Sequence, residues 1–312
     1  MTGRFIPQGR LIHESRHLLR YPVYLINLDR QPSRLRFMQA QLAALGIAPV
    51  RIPAVNGRDP AERAQAAAAS YAQLTPGEIG CFESHRRIWQ DMVDRGTPAA
   101  CILEDDMLVA GDFASLDIPD AILNNVDLIK VDYDPTDRPC YGAERIPVTQ
   151  TRSISRMLTA ERSTGCYIVT LRGAGRLLAG TRNYMLPVDI MMFGTHSRVF
   201  WSLDVWKVRD AAAIQMTMFE SHDILHDEFR DRIQGAARPE QANDLAGRIR
   251  RWRVRLRRLM DKDMGAQRSA RARQGLKDFT DRHPIDRTAI PFSGGDMAHY
   301  HAARGLLDAP AI

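Results

Sequence analysis

The chain has no apolar run approaching the roughly 18–20 residues that cross a membrane as a helix. Its first stretch, Met1 to Arg20, is interrupted by Gln8, Arg10, His13, Glu14 and Arg16, which does not suit a secretory leader. A cytoplasmic location is therefore expected. Cysteine is scarce as well: Cys81, Cys101, Cys140 and Cys166 are widely spaced, with no Cys-x-x-Cys pair, in a chain long enough to fold without staples. They are expected to be reduced thiols, mostly buried. No Gly-x-Gly-x-x-Gly or Gly-Lys-Ser/Thr loop follows the first strand-like segment, which removes dinucleotide-dependent oxidoreductases and P-loop enzymes from consideration. There is no internal repeat.

What is present is an ordinary globular composition, 45% hydrophobic and 26% charged, over 312 residues. The net charge of +6 suits an anionic partner without selecting one. Much of the excess lies in Arg248-Ile-Arg-Arg-Trp-Arg-Val-Arg-Leu-Arg-Arg258, where Ile249, Trp252, Leu256, Leu259 and Met260 recur at helical spacing. Such a basic amphipathic helix can lie on an anionic inner-membrane surface, or dock its apolar stripe on the body of the protein. Nucleic acid is not expected as a partner.

Tyr21-Pro-Val-Tyr-Leu-Ile-Asn-Leu28 has the pattern of a strand, and Leu35, Met38, Leu42 and Leu45 that of a helix closed by Gly46. Val50 to Val55 is a second strand, ended by the turn dipeptide Asn56-Gly57. Thr75-Pro-Gly-Glu78 combines a capping threonine, proline at the first helical position and a glutamate able to close a capping box, so a helix is predicted from there to about Val93. Ala99 to Leu103, Asp127 to Val131, Thr164 to Thr170 and Val205 to Val208 are further strands, the last taken as the final strand of the body. Helices are expected around Gly173 to Leu178 and at Pro187-Val-Asp-Ile190. Alternation of this kind predicts an α/β fold with a mixed, mainly parallel sheet flanked by helices. The composition divides the chain into an N-terminal extension (1–20), a catalytic domain (21–220) and a mainly helical, Arg-rich region (221–312).

Three consecutive carboxylates, Glu104-Asp105-Asp106, follow an apolar strand, where like charges repel and partial burial makes the repulsion worse. A hard divalent cation, Mg²⁺ or Mn²⁺, relieves that repulsion, and the C-terminal edge of such a sheet is where open α/β folds bind ligands. Two apart in extended chain, Glu104 and Asp106 point to one side and Asp105 to the other. A solvated acidic loop is the plain alternative. Glu78, Cys81 and His85 share one helix face, with Ser84 beside them. Cys81 and His85 alone, with no further ligand pair nearby in sequence, suit packing and a hydrogen bond better than zinc.

Taken in order, Tyr24-Leu-Ile-Asn-Leu-Asp-Arg30 with Arg34, Leu74-Thr-Pro-Gly-Glu-Ile-Gly-Cys-Phe-Glu-Ser-His85 with Trp89, and Ile102-Leu-Glu-Asp-Asp106 resemble glycosyltransferase family 25. Weaker echoes at Thr164 to Val169, Pro187-Val-Asp189 and Val205 to Gln215 extend the likeness over about residues 21–216. The resemblance implies a GT-A fold, a UDP-hexose donor, galactose above all, and transfer with inversion onto a lipopolysaccharide-type or lipid-linked glycan. It implies that Asn27, Leu28, Asp29, Arg30 and Arg34 lie near uridine and ribose. Ser84 and His85 would lie near the donor, with Glu78 and Asp105 in the same donor-binding set. Glu104 and Asp106 would fill the ends of the acidic metal motif, with Glu where the family pattern has Asp. Inversion requires a carboxylate to take the acceptor's proton, and Asp189 is the candidate base, with Asp106 the second catalytic carboxylate. A helix cap is the plain alternative for Asp189. Other readings of the triplet and the basic helix are a metal-dependent nucleotidyl- or phosphotransferase and a non-enzymatic RNA- or membrane-binding protein.

Overall fold

The computed structural model describes residues 19–68, 74–116, 118–136, 138–219, 270 and 272–308. The basic segment 248–260, and all but the last two residues of the N-terminal extension, lie outside the described residues. From the N-terminus, β1 (Val23–Asn27) leads through α1 (Pro32–Ala44), β2 (Val50–Pro53) and α2 (Pro60–Ala64) to the long α3 (Pro76–Arg95). β3 (Ala99–Glu104) turns directly into β4 (Met107–Val109), and α4 (Asp120–Leu123) precedes β5 (Leu128–Lys130). The short strands β6 (Tyr141–Gly142), β7 (Ile146–Pro147) and β8 (Ser153–Arg156) are followed by β9 (Cys166–Thr170), α5 (Leu171–Gly180), α6 (Val188–Phe193) and α7 (Arg198–Ser202). β10 (Val205–Arg209), β11 (Ala213–Gln215) and α8 (Met216–Phe219) come next, and then α9 (272–280), β12 (Ile285–Asp286) and α10 (Ala298–Asp308).

The central sheet has the order β2-β1-β3-β9-β5-β10-β8-β7. β2, β1, β3, β5, β10 and β7 run in one direction, β9 and β8 in the other. The sheet is thus mixed and mainly parallel in direction, as the alternation predicts. One consequence shapes the site. Because β9 is antiparallel between β3 and β5, its first residues lie beside the last residues of both neighbours, with Leu103 opposite Cys166 and Lys130 opposite Tyr167.

Period-two alternation sends the strands' side chains into two cores. Val23, Leu25, Cys101 and Leu103 pack with Phe37, Met38 and Leu42 of α1 and with Tyr300 of α10. Tyr24, Ile26, Ala100 and Ile102 pack on the other face with Phe82, Ile88, Trp89 and Met92 of α3. Both faces being covered, β1 is buried along its whole length, which is why its sequence is an unbroken apolar run rather than an alternating one. α3 begins with the capping box foreseen from Thr75 and Glu78, and ends at Gly96 in the left-handed region (φ 65°). Its first turn also explains two glycines. A Cβ on Gly57 would lie 1.7 Å from the Pro76 carbonyl oxygen, and one on Gly80 2.5 Å from that of Val55. The chain leaving β2 therefore crosses α3 at backbone contact, and the loop 54–57 is held against the helix that carries Cys81 and His85.

Two expectations are revised. β10 is not the last strand of the body: β11 pairs antiparallel with β4, directly after the carboxylate triplet. Also, part of the region beyond 221 closes on the body. β12 pairs with β6, the Phe37 and Tyr300 rings meet edge-on at 6.4 Å, and His299 Nε2 lies 2.8 Å from the Val109 carbonyl oxygen. Composition does not show this, because a few buried side chains among many polar ones are enough to dock a helix. The four cysteines are free thiols, three of them buried.

Candidate active site

The site forms where Asn27 ends β1, Glu104 ends β3 and Lys130 ends β5, beside the entry to β9. β3 carries Glu104 to the sheet edge, Asp105 and Asp106 make the turn, and Met107 begins β4. Asp105 and Glu104 diverge as extended chain requires. Asp105 Oδ2 accepts from Asn27 Nδ2 at 2.7 Å, and its Oδ1 from Arg34 Nη1 at 3.1 Å. Glu104 Oε1 instead accepts from the Thr164 hydroxyl at 2.6 Å and lies 3.3 Å from His85 Nε2. The Asp106 main-chain oxygen accepts from Met216 N, which ties the turn to the start of α8, directly after β11. Burial pushes the Cys81 thiol well up, and the charges of Glu104, Asp189 and Asp106 add to this, so the three acids lie in the neighbourhood of Cys81 although Asp189 is 83 residues beyond Asp106.

The carboxylates are not in equivalent states. Burial works against ionisation of Glu104, but His85, Thr164 and Lys130 together more than offset it and hold the carboxyl below its ordinary range. Burial pushes Asp105 up against the pull of Arg34 and Asn27. Asp189 is also raised by burial, opposed by the N–H groups of Ile190 and Ser163 and by Lys130. One consequence concerns stability. A carboxyl lowered in the folded chain stabilises it above the unfolded-state value of about 4.3 for Glu, and that contribution fades as pH falls through the folded-state value. Glu104→Gln is therefore expected to flatten the acid limb of stability against pH, measured by urea denaturation between pH 3 and 7. An unchanged slope would contradict the assignment.

Among the residues expected at the donor, Asn27 is buried and bridges Asp105 to the Gln31 carbonyl oxygen (2.9 Å), while Arg51 Nε donates to its Oδ1 (3.1 Å). Leu28, Asp29 and Arg30 form the loop above it: Asp29 pairs with Arg51, and Arg30 donates to Asn56 Oδ1 at 3.1 Å. Arg34, reaching back from α1, completes a polar floor. The other residues expected at the donor, Glu78, Ser84 and His85, are engaged in hydrogen bonds within the fold. Glu78 Oε2 is bound by Thr75 N at 2.6 Å in the helix cap. Ser84 Oγ accepts from Val55 N (2.9 Å) and donates to the Gly80 carbonyl (2.7 Å), so its hydroxyl holds the loop to α3. His85 is fully buried between Tyr167 Oη (2.8 Å from Nδ1) and Glu104, and touches the site through Glu104. Asp189 is not the cap of α6; that position is Pro187, and the carboxylate accepts from Ile190 N at 2.8 Å within the first turn.

Sequence reasoning missed the cations behind the carboxylates. Lys130 Nζ, fully buried, donates to Asp132 Oδ1 and to the Ser163 carbonyl oxygen, each at 2.7 Å, and lies 4.8 Å from the centre of the Phe193 ring. Ser163, at φ 68°, occupies the left-handed region that non-glycine residues rarely adopt. Its N–H bonds Asp189 while its carbonyl holds Lys130, so one constrained peptide segment links the two. Next to this, Lys207 donates to Glu161 Oε2 at 2.7 Å and to the Asp132 carbonyl oxygen, and Tyr141 Oη donates to Glu161 Oε1 at 2.7 Å. The available signal was a lysine within each of two apolar strands, Leu-Ile-Lys130-Val and Val-Trp-Lys207-Val, since lysine is almost never fully buried unless paired.

With this geometry in place, likeness to known proteins can be weighed. The family model described as glycosyltransferase family 25 (LPS biosynthesis protein) matches residues 20–192. A glycosyltransferase 25 family member of Drosophila pseudoobscura pseudoobscura is 30% identical over 213 residues, covering 62% of this chain and 33% of that protein. Procollagen galactosyltransferase 1 of Danio rerio is 33% identical over 185 residues, 54% of this chain and 30% of that protein. A human relative, named inactive glycosyltransferase 25 family member 3, is 29% identical over 216 residues, 61% of this chain and 34% of its own length. The chain thus spans about a third of the length of the curated relatives it matches. The family match covers β1 to α6, which carries every expected site residue from Asn27 to Asp189, and on that extent of agreement the chain belongs to glycosyltransferase family 25.

Proposed function

We propose that the protein transfers a hexose from a UDP-linked donor, galactose above all, to a hydroxyl of a lipopolysaccharide-type or lipid-linked glycan, inverting the anomeric carbon with the help of Mn²⁺ or Mg²⁺. The observation that carries this reading is the convergence of Glu104, Asp106 and Asp189 beside the buried Lys130. It brings two carboxylates from the β3–β4 turn together with a third from α6. That set fits a hard dication. Glu104, Asp106 and Asp189 offer carboxylate oxygens of the kind a hard ion prefers, with Lys130 acting on Glu104 and Asp189, while the sulfur and nitrogen donors nearby, Cys81 and His85, meet Glu104 alone among these acids. Asp106 and Glu104 would hold the ion, which when bound supplies Lewis-acid stabilisation to the departing diphosphate.

The chain's own groups account for the rest. Asn27, Arg34 and Asp105 are locked to one another, so the floor under the nucleoside is set before the donor arrives and little ordering is left to cost binding energy. Arg30 and Arg34 place positive charge near the nucleotide. Asp189 takes the proton from the acceptor hydroxyl as its oxygen attacks the anomeric carbon. Burial, which raises its carboxyl, makes it a better base than a free aspartate. The name of the zebrafish relative, a procollagen galactosyltransferase, supports galactose as the sugar.

Ligand-induced stabilisation tests the reading. A ligand bound by the native chain alone stabilises it by about 2.7 kcal/mol at a hundred times Kd, which raises Tm by about 4 °C in a chain of this size. UDP and UDP-galactose are expected to produce such a shift with Mn²⁺ and much less without it, and Asp106→Asn is expected to lose the Mn²⁺-dependent part. No shift with any UDP-sugar, or an equal one in Asp106→Asn, would overturn the assignment.

A further inference from the structure

We propose that Cys81, His85 and Glu104 form a binding site for a thiophilic divalent cation of the Zn²⁺ class, chemically distinct from the all-oxygen site at Asp106. In sequence, Cys81 and His85 lack a further ligand. The structure supplies one: β3 brings Glu104 to the face of α3 where Cys81 and His85 stand one turn apart, and the three ligand atoms lie within 4.8 Å of one another. Tetrahedral coordination at about 2.0–2.3 Å per ligand sets such atoms roughly 3.3–3.8 Å apart. The site therefore has to close by about 1 Å, within reach of Cys and Glu side-chain rotation, while His85 Nε2 and Glu104 Oε1 already stand 3.3 Å apart.

The surroundings match what such an ion requires. A metal-bound imidazole donates its other N–H to a fixed acceptor, which sets the ring orientation and tautomer. His85 Nδ1 has Tyr167 Oη at 2.8 Å, and Trp89 Nε1 holds that oxygen in turn at 3.0 Å. The phenol oxygen can accept from both donors. The Glu104 carboxylate is steadied by the Thr164 hydroxyl at 2.6 Å. Two of the three ligands thus have an outer partner, and the third rides on a capped helix. Ligand type separates the sites. Thiolate and imidazole favour Zn²⁺ over Mg²⁺ or Mn²⁺, whereas the carboxylates of Asp106 and Asp189 favour the hard ions. A dication also neutralises the concentrated negative charge that Glu104, Asp106 and Asp189 direct at Cys81. Three protein ligands leave a fourth position open. Glu104 belongs to both sites, so an ion on the thiol side draws it away from Asp106.

Cobalt(II) is the probe. The reduced full-length chain is stripped with a chelator, dialysed and titrated with Co²⁺. The expected result is one equivalent bound, with thiolate-to-metal charge-transfer absorption in the near ultraviolet and visible bands of four-coordinate strength. Zn²⁺ bleaches both and Mg²⁺ does not. Cys81→Ser is expected to lose the charge-transfer band and Asp106→Asn to keep it. Absence of the band in the native chain, or its persistence in folded Cys81→Ser, overturns the proposal. Should Cys81→Ser not fold, alkylation of Cys81 in the native chain, followed by peptide mass spectrometry, decides the matter. Protection by Zn²⁺ but not by Mg²⁺ is expected, and equal rates with the two ions overturn it.

Discussion

Asp189→Asn is expected to lower kcat for sugar transfer by about 10²–10⁴-fold, the usual contribution of a positioned general base, while leaving UDP-dependent thermal stabilisation nearly intact. The substitution keeps the shape of the side chain, and the amide oxygen can still accept from Ile190 N, so α6 has no reason to move. What is lost is a group able to take the acceptor's proton. The pH profile supplies a second check. Asp189 must be ionised to act, and burial raises its carboxyl above the ordinary aspartate range, so kcat/KM of the native chain should fall on the acid side at a higher pH than an exposed aspartate would give. That limb is expected to vanish in Asp189→Asn. Turnover within a few-fold of the native chain would assign the carboxylate to the helix start and send the search for a base elsewhere.

The largest expected loss of stability lies one layer deeper. Lys207→Met should destabilise the fold by about 3–5 kcal/mol, the typical cost of removing one partner from a buried ion pair, or about 5–8 °C in Tm. Lys207 and Glu161 are 1% and 0% exposed at their side chains, and among the described residues no other lysine or arginine is hydrogen-bonded to Glu161. Without the ammonium, Glu161 keeps the Tyr141 hydroxyl and the more distant charge of Lys130, and must either stay charged away from water with less compensation or take up a proton. The double variant Lys207→Met/Glu161→Gln should recover a large part of the loss, because the cost comes from the stranded charge more than from the missing contact. A loss under about 1 kcal/mol in the single variant, measured by denaturant unfolding, would show that water reaches the pair.

The contrast between these two groups shows what kind of signal a sequence holds. Thr75 and Glu78, three residues apart, announced the start of α3 because a capping box is a local device whose partners are close in the chain. Glu104, Asp105 and Asp106 were visible because an apolar strand ran straight into them, and period two alone separated Asp105 from its neighbours. His85 was recognised and its depth was not. Helical spacing shows which residues share a face, but not whether that face looks into a cavity or into Tyr167 and Trp89. Lys130, Glu161 and Lys207 went unassigned because their burial, and for Lys207 and Glu161 also their pairing across 46 residues, depends on how the sheet and its loops pack, although Asp132 stands only two residues from Lys130.

Strand order is therefore the dividing line for this protein. By itself the sequence determined the α/β class, the place of the carboxylates at the end of a buried strand, the helix bearing Cys81 and His85, and the family. Each rests on patterns of two to four residues or on a run of motifs in order. Only the tertiary structure decided that β9 enters antiparallel between β3 and β5. That arrangement lays Thr164 against Glu104 and sets Ser163 beside Lys130, while the packing of α3 on β3 brings Glu104 to Cys81 and His85. The physical reason is that pairing register and burial are settled by which apolar faces can be covered at the same time, a property of the whole sheet and its helices that no short stretch of chain contains.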